Sequence, residues 1–185
     1  MKTEKEKMLA GENYFGNDKE LSLERAKAKK LLHKLNVTEY AMNGNSRAIL
    51  KELLPNAHKR LYIEPPFHCD YGYNIYSGEN VYFNVNCIVL DSTKVTIGSN
   101  VLIGPGVHIY TSTHPLDAIE RRGMQFSKPV SIGDDCWIGG TVVICPGVTI
   151  GDGCTIGAGS VVINDIPDNS LAVGNPAKVI RKLIP

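Results

Sequence analysis

Charge of one sign is what this sequence lacks first. Twenty lysines and arginines stand against nineteen aspartates and glutamates, a formal +1 over 185 residues. With no overall field, nothing in the composition points to nucleic acid or a membrane surface, and any anion site has to be local. Long apolar runs are missing too. No stretch approaches the roughly 20 apolar residues that cross a bilayer, and the opening MKTEKEKMLAGEN has no signal-peptide core, so a cytoplasmic protein is expected. Paired cysteines are absent as well. Cys69, Cys87, Cys136, Cys145 and Cys154 are odd in number and form no CxxC, which argues for reduced, buried thiols over zinc or redox chemistry. What is present is 43% hydrophobic residues, enough for the core of one domain with a small appendage.

The dominant positive signal is an internal repeat. From Val130 the chain reads VSIGDD, CWIGGT, VVICPG, VTIGDG, CTIGAG, SVVIND, which places Ile132, Ile138, Ile144, Ile150, Ile156 and Val162 six residues apart. VTIGSN, VLIGPG and VHIYTS carry the same frame through Ile97, Ile103 and Ile109, and looser copies begin at Ile63, Cys69, Ile75, Val81 and Cys87. Each unit alternates apolar, polar, apolar, which is strand periodicity, and then offers Gly, Asn, Asp or Pro for a turn. Three such units close one triangular coil of roughly eighteen residues, with apolar side chains inside the prism. Cys69 and Cys87, and Cys136 and Cys154, are each eighteen apart, so both pairs are expected to stack on successive coils as packing.

Two regions leave the repeat. Ile132 stands twenty-three positions after Ile109, not a multiple of six, so a loop over 110–129 has to leave the prism, and long loops in compact domains are usually functional. A smaller slip adds two residues between Asp91 and Lys94. Residues 1–60 read differently: LSLERAKAKKLLHKLN and RAILKELL predict two amphipathic helices, the second with Asn45 and Ser46 as caps. They would cover an open end of the prism, which occupies 61–185. The end, LAVGNPAKVIRKLIP, is a basic strand.

MLAGENY, TSTHP, IGDDCWIGG, GVTIGDGCTIGAGSVV and SLAVGNPAKVIRK together resemble the hexapeptide-repeat sugar O-acetyltransferases of the maltose and galactoside acetyltransferase group, and the similarity spans nearly the whole chain. The resemblance implies an all-β fold, a left-handed parallel β-helix of hexapeptide repeats with N-terminal α-helices and a protruding loop. The left hand comes from the resemblance alone, because the general rule for parallel crossovers is right-handed. It also implies a homotrimer that binds acetyl-CoA between subunits and acetylates a hydroxyl of a mono- or disaccharide, with no metal required.

Such a transfer needs a base for the hydroxyl proton and a donor for the developing oxyanion. His114, in the loop before Pro115, matches the family's catalytic histidine, and imidazole is the side chain suited to proton transfer near neutrality. Gly140 matches the oxyanion donor through its backbone N–H. Some relatives carry serine there, so the amide alone has to serve, or a neighbour has to help. Asp18, Arg25, Asp70, Asn84 and Asp91 match the acceptor side, with Asn84 also suited to orienting the histidine or the attacking hydroxyl. Gly140, Ala158, Ile163, Asn164, Lys178 and Arg181 match the coenzyme A side, the last two meeting phosphates. Family members frequently carry glutamate where this chain has Gln125. Trp137 faces outward, toward a subunit interface or a ligand, and His108 is read as an interface or surface residue. Three alternatives stand beside this reading: a zinc enzyme on the same scaffold, needing three convergent histidines where only His108 and His114 are near each other; a solenoid without chemistry; and an acyltransferase for a non-sugar acceptor.

Overall fold

The computed structural model describes residues 1–37 and 44–184. The six-residue units become three flat faces of a parallel β-helix. One face stacks Tyr62–Ile63, Tyr82–Phe83, Leu102–Ile103, Trp137–Ile138, Thr155–Ile156 and Ser170–Val173. A second stacks Phe67–Cys69, Cys87–Leu90, His108–Tyr110, Val143–Ile144 and Val161–Val162. A third stacks Ile75–Ser77, Val95–Ile97, Val130–Ile132 and Thr149–Ile150. The isoleucines of the repeat point inward and are almost wholly buried, Ile138, Ile144 and Ile156 at 0% exposure. The core is therefore a continuous apolar column that no single coil could form alone.

The corners show why asparagine and glycine recur. Asn80, Asn100, Asp135, Gly153 and Asn169 all take positive φ at one corner, and the Asn80 and Asn100 side chains donate to the next residue up this ladder at 3.0 Å. A short polar side chain tolerates the left-handed conformation and pays back part of its cost with this bond.

The coil length is not uniform, and this corrects one expectation. Register partners are twenty residues apart in the early coils, Tyr62 with Tyr82 and Tyr82 with Leu102, and eighteen apart later, Trp137 with Thr155. Cys136 and Cys154, each preceding one of those last partners, do stack. Cys69 instead pairs with Val89, and Cys87 with Phe67. The cause is a pair of corners, 70–74 and 91–94, each two residues longer than the repeat allows. The earliest units also begin two residues before the positions read from the sequence, at buried Leu61 and Phe67.

Among the described residues three helices precede the prism: α1 (Glu4–Leu9), α2 (Lys19–Asn36) and α3 (Gly44–Leu53). The pattern of α2 buries Leu21, Ala28, Leu31, Leu32 and Leu35, and its last four join Leu61, Ile63 and Phe67 in the main core. Asn36, at its end, donates to the Phe67 carbonyl and accepts from the Phe67 N–H, both at 2.9 Å. That closes the exposed edge of the second face, as an edge strand requires. Helix α3 starts at Gly44, so Asn45 and Ser46 lie inside it and not at its cap. Helix α1 was not anticipated, although Thr3 and Glu6 form a complete capping box that the Thr-x-x-Glu spacing encodes. Among the described residues no helix is long and apolar enough to cross a membrane.

Candidate active site

The loop that leaves the prism is built on a short antiparallel stem. Ser112 pairs with Ser127 and Thr113 with Phe126. Its base is pinned from below: Thr111 Oγ1 donates to the Leu90 carbonyl at 2.7 Å, and the Lys128 N–H donates to the Thr111 carbonyl at 2.9 Å. His114 is the first residue beyond the stem, and its ring is exposed. Its Nδ1 lies 3.0 Å from the Met124 carbonyl oxygen. A carbonyl can only accept, so Nδ1 carries a hydrogen, and in the neutral ring Nε2 is the bare acceptor on the side away from that bond. This is the tautomer a general base needs.

The neighbouring corner gathers most of the acceptor-side residues. Asp70 follows the strand Phe67–Cys69, and burial pushes its carboxyl pKa up, opposed by the nearby positive charges of Arg25 and Lys29. Arg25, on α2, donates to the Tyr71 hydroxyl and to the Gly16 carbonyl, both at 2.6 Å.

Two members of the expected acceptor set have other work. Asp91 is 0% exposed. One carboxylate oxygen accepts from the Asp70 and Tyr71 amides at 3.0 and 2.9 Å, the other from Gly72 and Asn74 at 2.6 and 3.3 Å. It shapes the long corner that presents Asp70 and is not itself open to a ligand. Burial pushes its pKa up to about 7, against the amides of Tyr71, Gly72 and Asn74, which favour the charged form. Asp18 is the N-cap of α2, its Oδ1 accepting from the Glu20 and Leu21 amides at 2.9 and 3.2 Å.

Asn84 and Gly140 lie on a different corner. Phe83 pairs with Ile103 and Ile103 with Ile138, so Asn84 to Val85, Gly104 to Pro105, Gly139 to Gly140 and Gly157 to Ala158 rise in one ladder of small residues. The closeness is real: a Cβ at Gly139 would come 2.6 Å from the Ala158 nitrogen. Asn84 accepts from the Val85 amide through Oδ1 at 2.8 Å. The Gly140 N–H donates to no group among the described residues, while its carbonyl accepts from the Gly159 amide at 2.9 Å and the Thr141 hydroxyl at 2.7 Å. Thr141 holds φ +56°, a left-handed conformation that costs a β-branched residue about 1–2 kcal/mol. The Gly140 carbonyl is thus held by two bonds beside a strained neighbour, while its N–H, in the preceding peptide plane, stays unengaged among the described residues.

Of the remaining expected residues, Ala158, Ile163, Asn164, Lys178 and Arg181 are exposed. Ile163 and Asn164 follow Val162 on the second face, at the corner from which the His114 loop also departs, and so stand apart from Gly140 and Ala158 within one chain. Lys178 and Arg181 lie on the last strand, Lys178–Lys182, which runs antiparallel to Ser170–Val173. Three residues apart on a regular strand, they would point to opposite sides. A bulge opposite Leu171 and Ala172 changes this: Lys178 faces Val173 and Arg181 faces Leu171, and residues two apart on a strand share a side. Lys182 is engaged with the Asp168 carbonyl.

Burial pushes all five thiols above their ordinary pKa, Cys136 to about 11, which suits packing and not nucleophilic chemistry. His108 pairs with the Tyr110 hydroxyl on its own strand. Among the described residues no three His, Cys, Asp or Glu side chains converge as a metal site. A cavity of about 550 Å³ lies between α3 and the first coil, lined by Leu50, Leu54, Ala57 and Leu61 under Arg47 and Lys51; none of the residues expected for chemistry borders it.

A β-helix of six-residue units with an exposed histidine at the start of a side loop defines a class, and comparison with known proteins narrows it. The maltose acetyltransferase hexapeptide capping motif matches residues 7–58, and six repeats of the bacterial transferase hexapeptide match residues 129–164. A maltose O-acetyltransferase from Clostridium difficile 630 is 49% identical, with a TM-score of 0.97 over 100% of this chain and 99% of that one. A galactoside acetyltransferase in complex with coenzyme A is 38% identical, with a TM-score of 0.95 over 100% and 92%. A hexapeptide-repeat acetyltransferase from Vibrio cholerae O1 biovar eltor, complexed with acetyl coenzyme A, is 39% identical, with a TM-score of 0.90 over the full length of both. The chain belongs to the hexapeptide-repeat acetyltransferases, in the group of the maltose and galactoside O-acetyltransferases.

Sequence reasoning missed Tyr14, Tyr71 and the Met124 carbonyl. Tyr14 closes the MLAGENY motif, from which no role for it was read, and the parts of all three depend on groups brought together from distant segments.

Proposed function

We propose that this chain moves an acetyl group from acetyl-coenzyme A to a hydroxyl of a mono- or disaccharide, as a homotrimer with its active sites between copies. The single observation that carries the reading is the bond from His114 Nδ1 to the Met124 carbonyl, which makes Nε2 the accepting nitrogen of the neutral ring on an exposed loop. The separation of His114 from Asn84 and Gly140 onto two corners supports a site completed by a second copy. Complexes of two relatives with coenzyme A and acetyl coenzyme A support the donor.

In this reading Asp70 and Arg25 hold the sugar, the first by accepting and the second by donating hydrogen bonds. Nε2 of His114 removes the hydroxyl proton as that oxygen attacks the thioester carbonyl carbon, and Asn84 orients the incoming hydroxyl. The negative charge that develops on the carbonyl oxygen is met by the Gly140 N–H. Collapse of the tetrahedral species breaks the carbon–sulfur bond, and the imidazolium returns its proton to the leaving sulfur. The products are an O-acetyl sugar and free coenzyme A. Ala158, Ile163 and Asn164 border the pantetheine arm, while Lys178 and Arg181 meet phosphate oxygens.

The test is thiol release from acetyl-coenzyme A, scanned over glucose, maltose, galactosides and non-sugar acceptors. His114→Ala is expected to lose about 10² to 10⁴ in rate. Wild-type turnover by a folded His114→Ala protein would remove the base from the scheme.

A further inference from the structure

We infer that Tyr14 and Gln125 form a latch that positions His114, joining the N-terminal cap to the loop that carries the base. The inference rests on the reading of His114 given above and adds two positioning residues to it.

The Met124 carbonyl is the only partner of His114 Nδ1 among the described residues, so whatever holds that carbonyl holds the ring. The next residue, Gln125, is clamped by Tyr14 on three bonds. The Tyr14 N–H donates to the Gln125 carbonyl at 2.9 Å, the Gln125 N–H donates to the Tyr14 carbonyl at 3.1 Å, and Gln125 Nε2 donates to the Tyr14 hydroxyl at 2.7 Å. Tyr14 is itself immobile, at 0% exposure in a small cluster with Met8, Leu21 and Tyr71. Close approach of the two segments depends on Gly16, where a Cβ would stand 2.3 Å from Gln125 Nε2.

The far side of the same segment is tied to the acceptor corner. Arg25 holds the Gly16 carbonyl and the Tyr71 hydroxyl, and the Phe15 N–H donates to Glu4 at 2.7 Å. A continuous path therefore runs from Arg25 and Tyr71 through Gly16, Tyr14, Gln125 and Met124 to the imidazole. The carboxamide at 125 does not approach the ring. It turns away to Tyr14, so the residue that stands where relatives carry a carboxylate acts through the backbone of its neighbour.

Nitrogen-15 NMR of the His114 ring in the intact protein tests the latch without any substrate. The wild-type ring should show a protonated Nδ1 and a bare Nε2 in its neutral form. Gln125→Ala and Tyr14→Phe should weaken that preference and lower kcat about 10- to 10²-fold, with KM for acetyl-coenzyme A unchanged. Gln125→Glu, whose carboxylate would accept from the Tyr14 hydroxyl where the carboxamide donates to it, should retain the wild-type tautomer. Gly16→Ala should behave like Gln125→Ala. Folded Gln125→Ala and Tyr14→Phe proteins with the wild-type ring signal and kcat would overturn the latch. If the wild-type protein acetylates no sugar, the reading of function fails, and the ring signal alone still decides the latch.

Discussion

At the scale of single residues, Asp91 shows how a buried carboxylate can serve a site without touching a ligand. Four backbone amides converge on it, and the corner they form holds Asp70 beside Arg25. Its folded pKa of about 7 lies above the unfolded value of about 3.9. Between those values the folded chain keeps a proton that the unfolded chain has lost, so Asp91 makes the protein less stable as pH rises from about 4 to about 7, by on the order of 4 kcal/mol in all. Below that window the effect is absent, and above it is constant. Urea denaturation at several pH values checks this. Asp91→Asn should flatten the slope relative to wild type, and it should cost about 1–3 kcal/mol near pH 4, because a carboxamide has one accepting oxygen for four donors. Equal slopes for the two proteins would contradict the assignment.

Among the elements, the last strand carries the clearest consequence. The bulge opposite Leu171 and Ala172 puts Lys178 and Arg181 on one side, where both can address one anionic group. Single alanine substitutions are each expected to raise KM for acetyl-coenzyme A about tenfold, since a charge-assisted hydrogen bond contributes about 1.5–3 kcal/mol. The double variant should fall short of the product of the two, because neighbouring groups that share a partner are not additive. Full additivity in steady-state kinetics would mean that the two cations act on separate groups. The stem 112–113 with 126–127 is the other decisive element, because it converts a long excursion into a rigid arm with His114 at its first free position.

For the whole molecule, the prism leaves apolar side chains uncovered on its first face. Trp137 is 58% exposed and its register partner Leu102 54%, next to a core where the inward residues of the same strands are buried. Contact between copies would cover such a pair. Sedimentation of the purified protein is expected to give three chains, and Trp137→Ser together with Leu102→Ser should shift the mass toward the single chain and lower acetyl transfer with it. A fully active single chain would remove the second copy from the site.

The sequence by itself determined the β-helix, because a six-residue rhythm of apolar positions and turn residues admits one way of burying Ile132 through Val162. It also marked the loop, since a step of twenty-three positions from Ile109 to Ile132 breaks that rhythm, and with the family resemblance it named His114 and Gly140. Tertiary structure alone decided the rest. The twenty-residue early coils separated Cys69 from Cys87 and buried Asp91 beneath the corner at Asp70, a bulge turned Lys178 and Arg181 to one side, and the path of the N-terminal segment brought Tyr14 against Gln125. These depend on the lengths of particular corners and on backbone amides and carbonyls, which every residue carries alike and no side-chain pattern records.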